Sequence, residues 1–332
     1  MDNKYLRIKI EDILYLFVIL TCVKPEGISE IAPRLNTIVY EYGFYLSAVI
    51  TLFLFIASAM KRRSVSNFMI LYLVFICYMV LDTLLHNGPF FICINMWGRA
   101  VVILFLFESY RTKIVSLLRI YKYVLFALII LNLYYMIQYP QGMYIMEGTG
   151  YTSCWLLGYK SSFQYYFLPL ITIALLLKHY CNEQITFILS MLFVHIESIL
   201  ALNVMFVVEL VIFDVFLVFR LIDRLKLFNA KTYSMIVVAA NVIFVFFLSV
   251  LINWKPVHYL FYEILGKSTT IFTRINAWTK GIQFIQEKIL FGWGYTTGNE
   301  MRKLFGLSVI HLHNQCLMLF FQVRQLFLCY LW

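Results

Sequence analysis

The chain is organised by long apolar runs separated by short polar and basic segments. About ten runs approach the roughly 20 mostly apolar residues that a helix needs to cross about 30 Å of hydrocarbon. They are 11–23, 38–60, 65–85, 89–108, 122–139, 163–180, 184–200, 201–219, 233–252 and 312–332. Because the runs are continuously apolar, they predict helices and not the alternating strands of a membrane barrel. We therefore expect an all-α, polytopic transmembrane helical bundle of about ten spans.

Composition points to the same class of protein. Hydrophobic residues make up 62% of the chain and charged residues only 13%, whereas about 25% of a soluble domain is charged. We therefore expect a single integral membrane domain over 1–332 that is surrounded by membrane lipid. The net charge of +10 comes largely from basic loops, so no nucleic-acid partner is expected.

The positions of lysine and arginine predict the direction of the spans. With the N-terminus inside, most basic residues of the short loops fall on the inner side. The short outer loops carry only Lys24, Arg34 and Lys160. By the positive-inside rule, this asymmetry predicts a multi-pass protein of the cytoplasmic (inner) membrane. It also places 253–311 outside, as a large extracytoplasmic loop before the last span.

The middle of this loop has the pattern of an amphipathic helix. Its apolar residues recur at spacings of three and four, which is one face of an α-helix: Ile271, Ile275, Trp278, Ile282, Ile285 and Ile289. Ser268 offers an N-cap oxygen at the start. After the helix, Gly292 and Gly294 alternate with aromatic residues, which predicts a tight turn that brings the backbone close to another part of the molecule.

Three short elements follow one another in this region. They are Arg274-Ile-Asn-Ala-Trp278, Ile289-Leu-Phe-Gly292-Trp-Gly294 and His313-Asn314-Gln-Cys-Leu317. Their order, spacing and sidedness resemble the O-antigen polymerase and O-antigen ligase superfamily, whose outer loop carries R-x-x-x-W, a G-x-G turn and an H-N pair that opens the next span. Upstream, Gly158-Tyr159-Lys160-Ser161 resembles a G-x-K-N element of that family. Family members usually continue with a further span, so the end at Trp332 predicts a C-terminus that is truncated relative to the family.

The resemblance implies a substrate and a reaction. A Wzy-like polymerase joins polyprenyl-diphosphate-linked oligosaccharide repeat units into O-antigen, capsular or exopolysaccharide at the outer face of the cytoplasmic membrane, together with a flippase and a chain-length regulator. One alternative is an O-antigen ligase that transfers finished glycan to a lipid core. A second alternative is a polysaccharide flippase or transporter, for which long helices with internal repeats and no large structured outer loop are expected.

The chemistry of this reaction suggests roles for individual residues. The leaving diphosphate gains negative charge, and the sequence has no D-x-D motif for a metal, so we expect a metal-independent glycosyltransferase without a cofactor. Arg274 would hold the phosphate oxygens with its planar fork, and His313 would accept the proton of the acceptor hydroxyl, with His311 as its alternative. The candidate substrate-binding residues are Lys160, Trp278, Gly292, Gly294, Asn314 and Arg99.

Ionisable residues inside the apolar runs are functional candidates by default. Arg99 lies in the middle of the fourth run, where it either pairs with a carboxylate such as Asp82 or Glu209 or contacts a lipid diphosphate. His195 and Glu197 lie near the end of the seventh run, where a tight outer turn would leave them solvated.

Overall fold

The computed structural model describes residues 10–146, 151–219, 268–287 and 293–306, with a few isolated residues between 229 and 259. These parts of the chain are mostly helical. Within them, four helical stretches are long and apolar enough to cross a membrane: Pro33–Arg62, Asn67–Leu85, Phe90–Ser109 and Arg111–Gln138. The mostly helical character of the chain is therefore confirmed, and four of its helical stretches have the length and composition of membrane spans, whereas the full number of about ten spans stays a prediction.

The helices follow the predicted runs closely. They are α1 (Ile10–Cys22), α2 (Ile28–Ile31), α3 (Pro33–Leu35), a π-helix (Asn36–Tyr42), α4 (Gly43–Arg62), α5 (Asn67–Leu85), α6 (Phe90–Ser109), a 3₁₀ helix (Arg111–Lys113), α7 (Ile114–Gln138), α8 (Gln164–Cys181), α9 (Gln184–Leu200), α10 (Val204–Val218), α11 (Ser268–Glu287) and α12 (Gly298–Phe305). The predicted break near residue 200 is confirmed by the turn between α9 and α10. Two predicted runs lie outside the described residues: 312–332 entirely, and 233–252 except for isolated positions.

The chain divides into two compact units. The first unit comprises Met1–Met69 and Gly98–Val218, and the second comprises Ile70–Trp97 and Phe219–Trp332. In the first unit, α7 packs against α1, α8 and α9. Its fully buried side chains include Tyr15, Ile19, Leu125, Ile129 and Phe167. This unit therefore has its own continuous apolar core.

The outer surface of the helices is apolar as well. On α4, for example, the exposed large side chains include Tyr45, Val49, Leu52, Phe53 and Ile56, and Phe53 is 69% exposed. Soluble proteins rarely expose contiguous apolar surface of this kind. A helix that is apolar both on its buried and on its exposed side is typical of lipid contact.

The predicted outer loop 140–162 contains a small antiparallel sheet that the sequence pattern did not reveal. Its strands are β1 (Tyr144–Met146), β2 (Tyr151–Trp155) and β3 (Gly158–Tyr159), in the order β1-β2-β3. The loop after α1 packs on this sheet, because Gly27 donates its N–H to the Leu156 carbonyl at 2.9 Å. A side chain at Gly27 would collide with the Leu156 carbonyl oxygen at 2.9 Å.

The other end of the first unit is basic and rich in ion pairs. Arg111 pairs with Glu108 at 2.5 Å, and Glu183 accepts from Lys122 at 2.5 Å and from Arg119 at 2.6 Å. Two segments that were predicted on the inner side, after α6 and after α8, therefore meet at this end, and two that were predicted on the outer side, after α1 and at 140–162, meet at the sheet. The topology of the spans and the side that faces the cytoplasm stay predictions.

Candidate functional site

The helix predicted in the middle of 253–311 is confirmed as α11, which begins at Ser268, although Ile282 of its predicted apolar face is 42% exposed. Arg274 and Trp278 lie one turn apart on it, as their spacing of four predicts. Trp278 is only 3% exposed and Ala277 only 1%, so the tryptophan anchors the helix. Arg274 belongs to the helix, but its side chain lies outside the described part of the structure.

A small core connects α11 to the chain that follows it. The ring of Phe284 on α11 packs edge-to-face on Trp293 and on Phe305, with ring centroids 5.4 and 4.9 Å apart. Trp293 donates its indole N–H to the Phe284 carbonyl at 3.1 Å, and Lys280 Nζ donates to the Phe305 carbonyl at 3.0 Å. The described parts of 268–306 thus fold on one another as a helical element.

The helix α12 was missed by the sequence reasoning, although its start carries a recognisable signal. Thr297 and Glu300 form a capping box, in which Glu300 Oε2 accepts from the Thr297 N–H at 2.6 Å and Thr297 Oγ1 accepts from the Glu300 N–H at 3.4 Å. The pattern Thr-x-x-Glu is the known sequence signature of such a helix start.

The glycine turn approaches another backbone, as predicted. Gly294 has a φ of +65°, and a Cβ at this position would lie 2.9 Å from Thr83 Cα, near the end of α5. The next residue, Tyr295, donates its N–H to Thr83 Oγ1 at 2.9 Å. In the second unit, the turn of the large loop therefore docks on the end of α5 that was predicted to face outside. Gly292 lies outside the described residues.

The other motif residues of this loop are not described. His311, His313 and Asn314 lie outside the described residues, so the meeting of His313 with Arg274 stays a prediction. Within the described residues, no group of three or more His, Cys, Asp or Glu side chains could hold a metal ion.

The G-x-K element lies in the first unit, where it contacts the loop after α1. Lys160 is half-buried, and its Nζ donates to the Leu202 carbonyl at 3.4 Å. Gly158 has a φ of +99°, and the carboxyl of Glu26 occupies the space that a Cβ would need. Burial raises the pKa of Glu26, although a hydrogen bond with Ser162 lowers it in part. Glu26 is thus a carboxyl group beside Gly158 that the sequence reasoning did not single out.

Arg99 bonds to neutral backbone oxygens in the first unit. Its Nη1 donates to the Thr21 carbonyl at 2.7 Å, its Nη2 donates to the Tyr40 carbonyl at 2.8 Å, and the guanidinium lies 4.7 Å from the centroid of the Phe44 ring. Glu209, which was considered as a partner, makes no ion pair among the described residues of this unit. Arg99 therefore connects the end of α1 to the π-helix.

The expectation that Glu197 is solvated is wrong, whereas the side chain of His195 is 32% exposed. Both lie inside α9, and Glu197 is completely buried. Glu197 Oε2 accepts from Asn132 Nδ2 at 2.7 Å, and Asn132 Oδ1 accepts from the Leu157 N–H at 2.9 Å. His195 Nε2 lies 2.9 Å from Asp214 Oδ2 on α10. Both groups therefore have polar partners within the bundle.

Comparison of the chain with protein-family models, with curated proteins and with solved structures found no match. The function proposed below therefore rests on the motifs of the sequence and on the geometry of the described residues.

Proposed function

We propose that this chain is a metal-independent membrane glycosyltransferase that polymerises polyprenyl-diphosphate-linked repeat units at the outer face of the cytoplasmic membrane. The observation that supports it best is the docking of the Gly294 turn on the end of α5, through the hydrogen bond from Tyr295 to Thr83. This contact fastens the segment that follows the Arg274 helix to the end of a helix that has the length and composition of a membrane span. A lipid-borne substrate presents its diphosphate at such a membrane boundary.

The proposed reaction transfers the growing glycan to the next repeat unit. The bond between the anomeric carbon and the diphosphate oxygen breaks, and a glycosidic bond to the acceptor hydroxyl forms. The electron pair of the broken bond stays on the diphosphate, where the Arg274 guanidinium stabilises it with two parallel hydrogen bonds. His313 accepts the proton of the acceptor hydroxyl.

The remaining motif residues have supporting roles in this proposal. Trp278 is buried, so it positions the Arg274 helix and does not face the substrate. Gly294 lies in the turn that docks the loop. Lys160 supplies a second cation in the first unit, and Asn314 binds the substrate next to His313.

Mutagenesis in cells tests the proposal directly. In a strain without the chromosomal gene, Arg274→Ala and His313→Ala are each expected to abolish chain extension while the protein still inserts into the membrane. Arg274→Lys keeps the charge but not the fork, and we expect it to recover only part of the activity. Lys303→Ala is a matched control, because Lys303 is an exposed cation on α12 of the same loop. A normal ladder of glycan lengths in both alanine variants would contradict the proposal.

The same strains distinguish the alternative functions. A polymerase defect leaves single repeat units on the carrier, and a ligase defect leaves long polymer on the carrier without transfer to a lipid core. A flippase defect traps repeat units on the cytoplasmic side. Labelling of a Lys303→Cys variant with a membrane-impermeant thiol reagent, relative to the parent chain, tests the side of the loop. Protection of this cysteine in whole cells would exclude an outer-face reaction.

A further inference from the structure

Two cationic residues meet at one end of the first unit, where α1 ends. Arg99 donates to the carbonyl of Thr21 in the last turn of α1 and to the carbonyl of Tyr40 in the π-helix. Lys24 follows three residues after Thr21, and its own carbonyl accepts a hydrogen bond from Tyr166 Oη at 2.7 Å. Both cationic side chains are half-buried. The loop after α1 thus holds Lys24 beside the helix end to which Arg99 is bound.

Their positive charge is not neutralised by an ion pair. Among the described residues of this unit, neither Lys24 nor Arg99 forms a salt bridge, and both hydrogen bonds of Arg99 go to neutral carbonyls. Burial and the charge of Arg99 lower the pKa of Lys24, and the carboxylate of Glu41 raises it in part. That carboxylate also accepts a hydrogen bond from Asn36 Nδ2 at 2.9 Å. Two like charges therefore lie close together in half-buried surroundings, and Glu41 is the carboxylate that acts on Lys24.

The π-helix provides the platform for this cluster. Its hydrogen bonds run from residue i+5 to i, as in the bond from the Gly43 N–H to the Ile38 carbonyl. Wide turns of this kind are rare and occur frequently at functional sites. At its first position, Asn36 is only 7% exposed, and its Oδ1 has no hydrogen-bond partner among the described residues. A buried acceptor of this kind can accept a hydrogen bond from water, and it is not itself a contact for a phosphate oxygen, which also accepts.

We propose that Lys24 and Arg99 form a binding site for the phosphate group of a membrane lipid at this end of the first unit. Phosphate oxygens supply the negative charge that the pair lacks, and they accept hydrogen bonds both from an ammonium and from the remaining guanidinium N–H groups. Retaining two unpaired cations at a helix end costs desolvation free energy, and an anionic ligand offsets this cost. The choice of the diphosphate of a polyprenyl carrier as the preferred ligand rests on the proposed function.

Binding measurements on the purified full chain test this site. The protein is placed in nanodiscs of a galactolipid, which carries neither charge nor phosphate, and the binding of polyprenyl diphosphate is measured by native mass spectrometry. Lys24→Gln is expected to weaken this binding about tenfold or more, the usual loss for a charge-assisted hydrogen bond. Lys24→Arg keeps the charge, and we expect it to bind within about threefold of the wild-type chain, since guanidinium also binds phosphate.

The controls separate the site from general attraction of anions. Arg34→Gln removes an exposed cation of the same predicted outer loop, and we expect it to bind like the wild-type chain. Arg99→Lys keeps the charge but cannot reproduce both guanidinium hydrogen bonds, to the Thr21 carbonyl of α1 and to the Tyr40 carbonyl of the π-helix. Its melting temperature is therefore measured together with its binding, so that a fold defect is recognised. The polyprenyl alcohol, which carries no phosphate, should not compete.

Each result has a defined meaning. Equal affinity of Lys24→Gln and the wild-type chain, or competition by the alcohol as strong as that by the diphosphate, would overturn the phosphate site. Equal competition by phosphatidylglycerol would support the site and assign it to bulk phospholipid, and competition by inorganic diphosphate alone would assign it to the free anion. Failure of the Arg274 and His313 variants to change polymer length would overturn only the proposed reaction, because lipid binding is measured independently.

Discussion

The buried pair of Asn132 and Glu197 offers a sharp test of the packing in the first unit. Asn132 on α7 is completely buried and makes two hydrogen bonds to other elements: its Nδ2 donates to the Glu197 carboxyl on α9, and its Oδ1 accepts from the N–H of Leu157 between β2 and β3. Asn132→Leu keeps a similar volume but removes both bonds. It leaves a buried carboxyl and a buried N–H without these partners.

The expected loss follows from these two groups. A buried polar group that loses its partner costs about 1–3 kcal/mol, whereas single hydrogen bonds between membrane helices average about 0.6 kcal/mol. For two polar groups, these values set the expected loss in the free energy of unfolding between about 1 and 6 kcal/mol. We expect about 3 kcal/mol, because both groups are fully buried. Glu197→Gln keeps an acceptor for Asn132, so we expect it to be neutral or stabilising.

Reversible unfolding of the purified chain by sodium dodecyl sulfate in mixed micelles measures this difference. Gln138→Leu is the matched control, because Gln138 is an exposed amide at the end of the same helix. A loss below about 0.5 kcal/mol for Asn132→Leu, the size of an ordinary surface substitution, would refute the reasoning. A large loss for Glu197→Gln would show that the charge itself, and not the hydrogen bond, is required.

Three further predictions concern other parts of the chain. Gly294→Ala should weaken the docking of the large loop on Thr83. The positive φ of Gly294 disfavours any residue with a Cβ, and a Cβ would lie only 2.9 Å from Thr83 Cα. Unchanged hydrogen exchange at the Tyr295 amide would contradict this prediction. Thr297→Ala should destabilise α12 by about 1 kcal/mol, because the helix loses its N-cap. The expected sign is faster amide hydrogen exchange that is confined to α12. Exchange as slow as in the wild-type chain would contradict this prediction. Burial alone would raise the pKa of Glu183, but its two cationic partners outweigh it and hold the pKa below its usual value. The contribution of this carboxylate to the free energy of unfolding is therefore fully present above about pH 4.3, and it is lost as the pH falls through the lowered pKa. A Glu183→Gln variant with the same acid sensitivity as the wild-type chain would disprove this.

The positions of the helices could be predicted from the sequence because each depends on a local property. A continuous apolar run commits its own backbone to a helix in lipid, so breaks such as Lys24-Pro25 fall where the structure ends α1. The loop helix that begins at Ser268 was predictable for a similar reason, since its apolar residues recur with the helical period.

The missed features depend on residues that are far apart in the sequence. Asn132 and Glu197 are separated by 65 positions, and no local pattern shows that they meet. Likewise, Arg99 reaches Thr21 and Tyr40 across 78 and 59 positions. The sheet at 144–159 was missed because its strands have only two to five residues. Only the Gly294 contact was foreseen, because glycines in a turn indicate a close approach without naming its partner.

The continuous helix Pro33–Arg62 also has a mechanical consequence. The 20 residues of α4 alone measure about 30 Å, which already equals the thickness of a typical hydrocarbon layer. When α4 stands upright in such a bilayer, the π-helix before it rises into the headgroup layer and carries Asn36 and Glu41 with it. A thicker bilayer draws these polar groups toward the acyl chains, and a thinner one forces α4 to tilt. The geometry around Lys24 and Arg99 is therefore coupled to the width of the host membrane.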